Sequence, residues 1–189
     1  MKKIAVFASG SGSNYQAIRE AIEKGIIKDS VISLVVCNKP KAYVLERAKK
    51  FGDEVFVFNH KSFKEKKEYE ALIVDELRKR EVDLVVLAGY MLIVGDTLLN
   101  AYEGKIINIH PALLPSFKGA HGIKDAFEYG VKVFGVTVHY VSKELDGGKI
   151  ISQKAFHYYG NDIEEVEEKI HKIEHVLYPR TINKLLKEQ

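Results

Sequence analysis

Ile107-Asn108-Ile109-His110-Pro111-Ala112-Leu113-Leu114-Pro115 reads as the end of a buried strand followed by an abrupt turn. Ile106 and Ile107 form the apolar close of that strand. Alternate strand residues share a face, so Asn108 and His110 project together while Ile109 points the other way. Pro111 has no N–H to continue a ladder, and Pro115 closes the segment. An amide beside an imidazole at the carboxyl end of a strand is an arrangement that open α/β sheets use for chemistry. The competing reading is a strand end whose Asn and His merely satisfy a turn.

The segments before this stretch alternate between strand and helix. Lys3–Ser9, Val31–Cys37, Glu54–Phe58 and Asp83–Leu87 are apolar runs of strand length. A helix is expected from about Asn14 to Lys24, with Ala17, Ile18, Ala21 and Ile22 at helical spacing and Gly25 as its stop. A second covers 41–51 and ends at Gly52. Ser62 and Glu65 predict a capping box for a third, ending near Arg80. Such alternation predicts a parallel sheet with helices on both faces. After the loop 88–94, a short helix near Asp96–Tyr102 leads into the quoted strand, and 122–129 reads as helix. Val133–Val141 and Lys149–Tyr158 are two further strands, and the link 142–148 is too short for a parallel crossover, so they should pair antiparallel. Asp162 and Glu165 predict a capping box for the last helix. Its buried face should carry Val166, Ile170, Ile173 and Leu177, with a kink at Pro179. With no repeat or linker, residues 1–189 are expected to form one α/β domain. Its sheet should be mostly parallel, with an antiparallel C-terminal part.

Composition narrows the function classes. A chain of 189 residues can bury a sizeable single core. Hydrophobic residues make up 46% and charged residues 29%, an ordinary soluble balance. The net charge of +3 calls for neither nucleic acid nor an acidic membrane. No apolar run has membrane-spanning length and no secretory pattern opens the chain, so a cytoplasmic location is expected. Cys37 is the sole cysteine, which rules out an internal disulfide and suits a small buried hydrophobe.

Three further pieces carry chemistry. Gly10-Ser11-Gly12-Ser13-Asn14 joins a strand to a helix, where free N–H groups meet the positive end of the helix dipole and suit a phosphate. The dinucleotide fingerprint fits poorly, because Tyr15 takes the third glycine position and Asn38, not an acid, closes the second strand. A monophosphate is the better match; the bland alternative is a tight turn with Ser13 or Asn14 as N-cap. Asp146 in Leu145-Asp146-Gly147-Gly148 is either a third polar partner or an ordinary hairpin turn residue. His171 and His175 lie one helical turn apart, but without a third compelling ligand no metal site is expected. His139 should run beside the central pair, whereas His60, His121 and His157 read as structural or exposed. The apolar Met91 loop is either the wall of a flat ligand site or core packing.

Asn108-x-His110-Pro111-x-Leu113-Leu114-Pro115, the Asp146 turn, the Gly10–Asn14 loop and the final Glu174-His175-x-x-Tyr178-Pro179 occur together in that family's pattern: the chain resembles the folate-dependent formyltransferases over essentially its whole length. The resemblance implies a Rossmann-like formyltransferase fold. The N-terminal half would bind a phosphorylated ribonucleotide, and the C-terminal half would bind folate and carry catalysis. It also implies 10-formyltetrahydrofolate as formyl-donor cosubstrate, with no metal and no covalent enzyme intermediate. The Gly10–Asn14 loop points to glycinamide ribonucleotide as acceptor, its amine attacking the formyl carbon to give a tetrahedral intermediate.

By the same resemblance, Asn108, His110 and Asp146 are the catalytic residues. Asn108 would donate to the developing oxyanion. Protonated His110 would do the same and serve as general acid for departing N10. Asp146, if close, would favour the imidazolium and hold a water that relays the amine proton. Gly12, Ser13 and Asn14 match the phosphate loop, Glu174 the group that holds the ribose hydroxyls, and His171 stands beside it. The folate cleft would be bounded by Met91, Leu92, Ile93, Val94 and Asn108 on one side and Ser142, Lys143, Glu144, Leu145 and Asp146 on the other. Lys66 would lie toward the glutamate tail and His139 behind the catalytic pair. Relatives often carry Arg at the positions of Leu92 and Lys66 and Gln at that of His171. Lys keeps the charge without the fork geometry. The implied partners are two small molecules, with no nucleic acid or membrane, and the expected state is monomer or homodimer. Formyltetrahydrofolate hydrolase and methionyl-tRNA formyltransferase share the Asn/His/Asp set, but the phosphate loop favours the ribonucleotide as acceptor. The tRNA enzyme usually adds a C-terminal domain and a basic surface, neither expected here. A non-catalytic phosphosugar-binding module would explain the loop and leave the trio without purpose.

Overall fold

The computed structural model describes residues 1–188. Its strands are β1 (Lys2–Ala8), β2 (Ser30–Cys37), β3 (Val55–Val57), β4 (Leu84–Leu87), β5 (Ile106–His110), β6 (Val133–Tyr140) and β7 (Ile150–His157). They form one seven-stranded sheet in the order β3-β2-β1-β4-β5-β6-β7. β1 to β5 run parallel, β6 lies antiparallel to β5, and β7 antiparallel to β6. The helices are α1 (Ser13–Glu23), α2 (Val44–Phe51), α3 (Lys66–Lys79), α4 (Asp96–Ala101), α5 (Gly122–Tyr129) and α6 (Ile163–Glu188).

Helices cover both faces, which is why the inner strands read as unbroken apolar runs rather than alternating ones. On one face Val6, Val35, Val86 and Ile107 pack against Tyr15 and Ile18 of α1, Val44 of α2, Ala126 of α5 and Ile170 and Ile182 of α6. On the other, Phe7, Leu34, Val85 and Ile106 pack against Tyr69, Ile73 and Leu77 of α3 and Leu98 of α4. β1 has β2 on one side and β4 on the other, so successive connections leave it in opposite directions. That switch point opens a crevice at the carboxyl ends of β1 and β4. Tyr178 of α6, fully buried, donates its hydroxyl hydrogen bonds to the Leu87 carbonyl at 2.8 Å and the Ile107 carbonyl at 3.2 Å. It thereby fixes α6 against the ends of β4 and β5, beside the crevice.

Three local expectations are corrected. Ser62 does not cap α3; the Asn59 side chain accepts the Lys61 N–H and opens a short 3-10 turn at His60–Ser62. The capping box lies one step on, between Glu65 and Glu68. At α6, Asp162 accepts the Glu164 N–H at 2.9 Å, but Glu165 completes no box. Its carboxylate takes the Tyr158 hydroxyl at 2.6 Å, and the Asp162 N–H goes to that same hydroxyl at 3.0 Å. The buried stripe of α6 is Val166, Ile170, Glu174, Tyr178 and Ile182, with Ile173 and Leu177 half-buried at its margin. The helix runs on through Pro179.

Candidate active site

A cleft of ≈ 540 Å³ lies over the carboxyl ends of β1, β4 and β5. Its walls are the loop Gly10–Asn14 after β1, the loop around Met91 after β4, and the segment after β6 that carries Asp146. Asn108 and His110 line the floor, and one edge of α6 with His171 and Glu174 closes an end. The sequence-predicted residues therefore meet in one place, with the exception of Lys66.

The register of β5 against β6 sets the geometry around Asn108 and His110. Asn108 pairs with His139 and His110 with Thr137. His139 is 2% exposed, and burial pushes its imidazole below the usual histidine value, so it is held neutral. Its Nδ1–H donates to the Tyr140 carbonyl at 2.9 Å. Nε2 is then left as acceptor for the Asn108 amide, whose Nδ2 lies 3.3 Å away. That contact fixes which end of the Asn108 amide donates and leaves its second N–H free. His110 is 4% exposed, with Nε2 2.8 Å from the Phe117 carbonyl and Nδ1 3.6 Å from Asp146 Oδ2. The Phe117 carbonyl thus lies within hydrogen-bond distance of Nε2, and the Asp146 carboxylate stands just beyond it from Nδ1. Asp146 also accepts the Gly119 N–H at 2.7 Å and stands 3.8 Å from His139. Its backbone is left-handed, φ 51, at a turn where Gly148 leaves no room for a Cβ against the Tyr140 carbonyl. The turn and the polar partner are thus one feature: the strained turn delivers the carboxylate.

Sequence reasoning missed Thr137, which is fully buried opposite His110. Its hydroxyl donates to the Ala112 carbonyl at 2.7 Å and accepts from the Leu114 N–H at 3.1 Å, pinning the segment that follows His110. A hydroxyl within the apolar run of β6 was the available signal.

At the first loop, Gly12 is the N-cap of α1, with φ 74 and no side-chain cap. Neither Ser13 nor Asn14 caps the helix, so its first N–H groups face the cleft without a side-chain acceptor. A Cβ on Gly12 would stand 2.6 Å from Val44 Cγ2, so α2 packs directly beneath the loop. The Gly10 carbonyl accepts from the Val44 N–H at 3.1 Å and the Ser11 carbonyl from Arg47 Nε at 2.8 Å. Glu174 is 6% exposed and accepts from Asn14 Nδ2 at 3.2 Å. Burial raises its carboxyl to about 7, against the opposing effect of that hydrogen bond. Asn14 Oδ1 is buried with no partner among the described residues.

The Met91 loop divides its side chains. Met91 and Ile93 stand exposed at the cleft, whereas Tyr90 packs edge-on against Phe7 at 5.3 Å and Val94 is buried. The loop therefore both walls the cleft and packs the core, residue by residue. Lys66 lies outside the cleft lining, its Nζ donating to the Ile93 carbonyl at 2.9 Å. His171 is exposed at the cleft edge, and His175 faces a neighbouring groove between α1 and α6. Among the described residues no group of three or more His, Cys, Asp or Glu side chains is placed to hold a metal. Among them, too, no helix is long and apolar enough to cross a membrane.

Residues 2–182 match the family described as Formyl transferase. The chain is 51% identical over 187 residues to the phosphoribosylglycinamide formyltransferase of Bacillus subtilis (strain 168), covering 98% of this chain and 95% of that protein. It is 43% identical over 183 residues to the protein of that name from Haemophilus influenzae, covering 96% and 86%. The fold matches the crystal structure of glycinamide ribonucleotide transformylase 1 from Geobacillus kaustophilus with a TM-score of 0.95. That match has 48% identity and covers 98% of this chain and 99% of that one.

Proposed function

The chain belongs to the formyl transferase family, and on that premise we propose that it transfers the formyl group of 10-formyltetrahydrofolate to the amine of glycinamide ribonucleotide, a step of purine biosynthesis. One observation carries this reading: an uncapped helix N-terminus and the Asn108–His110–Asp146 group open into the same cleft. The first suits a phosphate monoester and the second a carbonyl carbon under attack. Both substrates are held by one domain. The phosphate rests on the N–H groups of Gly12, Ser13 and Asn14, and Glu174, flanked by His171, accepts from the ribose hydroxyls. Folate lies between Met91–Val94 and Ser142–Asp146, with Lys66 acting on this site through the Ile93 carbonyl.

The amine lone pair forms a bond to the formyl carbon, and the carbonyl pair becomes an oxyanion. The free Nδ2–H of Asn108 and the His110 imidazolium donate to that oxygen. A water on Asp146 takes the proton released by the amine; the oxyanion pair then re-forms the carbonyl, the carbon–N10 bond breaks, and His110 delivers a proton to N10. Substrate takes the place of the Phe117 carbonyl as partner of Nε2. The test is formyl release from 10-formyltetrahydrofolate with and without glycinamide ribonucleotide. Tetrahydrofolate formed only with the ribonucleotide, together with formylated product, supports the assignment. Release without it identifies a hydrolase, and no release in either case overturns the proposal.

A further inference from the structure

Ser9 and Asn38 are two polar residues with no part in the scheme above, yet they are only 2% and 3% exposed. Ser9 follows β1, and Asn38 follows β2. Buried polar groups of this kind persist where each hydrogen bond is made, because an unmade one is costly. The Ser9 hydroxyl donates to Asn38 Oδ1 and accepts the Met91 N–H at 2.8 Å, across a sequence separation of 82. The Ser9 N–H donates to the Gly89 carbonyl at 3.0 Å. One residue thus grips the Met91 loop twice, at Gly89 and Met91, its second and fourth positions. It is also the residue that precedes the Gly10–Asn14 loop.

The far end of the Met91 loop is gripped separately from α3. Lys66 Nζ holds the Ile93 carbonyl at 2.9 Å, and the buried Glu70 carboxylate holds the Gly95 N–H at 2.6 Å and the Leu98 N–H at 3.2 Å. Between these anchors Met91 and Ile93 stand exposed at the cleft. A loop with no regular secondary structure gains a fixed backbone only from such tethers. The tether at Ser9 also sets how far this loop stands from the phosphate loop, because both are rooted on the same residue.

We propose that Ser9, held by Asn38, is a positioning residue for the folate cosubstrate: its hydroxyl fixes the backbone of the Met91 loop at a set distance from the phosphate loop. This rests on the folate reading of the cleft. The hydroxyl touches neither substrate. It acts by holding the loop in its binding-competent form, so its loss lowers the populated fraction of that form and raises the apparent folate constant.

The test uses Ser9→Ala and Asn38→Ala in the full chain, with KM measured for each substrate separately. Ser9→Ala is expected to raise the KM for 10-formyltetrahydrofolate about fivefold, the loss of one net hydrogen bond, and to leave the ribonucleotide KM unchanged. Asn38→Ala should act in the same direction and more weakly. Ser9→Cys, which keeps a weak donor and acceptor, should recover part of the effect. Hydrogen exchange at the Met91 amide should quicken in Ser9→Ala while the amides of β1 stay protected. An equal rise in both KM values, or an unchanged folate KM, overturns the proposal even where Ser9→Ala lowers Tm. Absence of transfer in the unsubstituted protein would instead count against the assigned reaction, so the two failures are separable.

Discussion

Replacing Glu174 with Gln is expected to stabilise the protein at alkaline pH and to change it little at acid pH. Glu174 sits in the buried stripe of α6, 6% exposed, and burial raises its carboxyl from 4.5 to about 7. A carboxyl whose folded value lies above its unfolded one takes up a proton on folding. Its contribution to stability is complete below the unfolded value and is lost as pH rises through about 7. A rise of this size corresponds to about 3 kcal/mol once the group is ionised in both states. Gln keeps the oxygen that Asn14 donates to and carries no charge at any pH. The stability difference between variant and wild type should therefore widen by about 2.5 kcal/mol between about pH 5 and about pH 8.5. Urea unfolding followed by far-UV circular dichroism measures it, since the chain has no Trp. A difference that stays constant between the two pH values would refute the reasoning. Ribonucleotide affinity should move the opposite way: the ionised carboxylate is the better acceptor for ribose hydroxyls, so wild-type affinity should rise as pH passes about 7 and the Gln variant should be flat.

Other substitutions address the rest of the site. Asn108→Ala and His110→Ala should each lower formyl transfer by about 10²-fold or more, with modest change in folate KM, because each removes a donor to the developing charge; near-normal turnover in both would end their assignment. Gly12→Ala places a Cβ 2.6 Å from Val44 Cγ2 at φ 74, and should cost about 1–2 kcal/mol in urea unfolding while raising the ribonucleotide KM. An unchanged KM would show that the loop does not hold the phosphate. Thr137→Val orphans the buried Leu114 N–H and Ala112 carbonyl, and should cost at least about 2 kcal/mol by thermal or urea unfolding.

Much of this architecture was legible because it is written in period and punctuation. Strands covered on both faces read as apolar runs, and Gly52 stops α2 where a left-handed residue is needed. Asn108 and His110 declared themselves through their spacing and the prolines after them. What failed was ranking among local partners. Ser62 and Asp162 each had a plausible reciprocal Glu, but Asn59 captured the turn before α3 and the Tyr158 hydroxyl captured Glu165. Those contests are decided by distances that no local pattern contains. The groups missed altogether, Thr137 and Ser9, act on backbone 23 to 82 positions away. Their residue types are ordinary, and only the register of β5 with β6 and of β1 with β4 gives them a role.

The places where local rules are broken point to ligand more firmly than any single motif. A chain selected for stability alone would cap α1 with a side chain, a choice worth about 1 kcal/mol; here Gly12 caps it bare. It would give a buried carboxyl full hydrogen bonding, as Glu70 has from two N–H groups, yet among the described residues buried Glu174 accepts only from the Asn14 amide. It would not leave Asn14 Oδ1 unmatched in the interior, which costs about 1–3 kcal/mol. It would avoid a left-handed Asp at position 146. Among the described residues, bare caps also occur at α2, α4 and α5, unmatched buried atoms at Ser30, His60 and His175, and left-handed residues at Asp29, Glu81 and Phe117, but Gly12, Asn14, Asp146 and Glu174 bring these departures together in one cleft. The hydrogen-bonding capacity missing from the protein there comprises N–H donors at one end, an amide oxygen and a carboxylate beside it, and the free N–H of Asn108 across the floor. A ligand that presents an anion, hydroxyls and a carbonyl oxygen would complete this set. A phosphorylated ribose carrying an amine, meeting a formyl donor, supplies these groups, so the proposed function gives the defects in folding economy and the chemistry one cause.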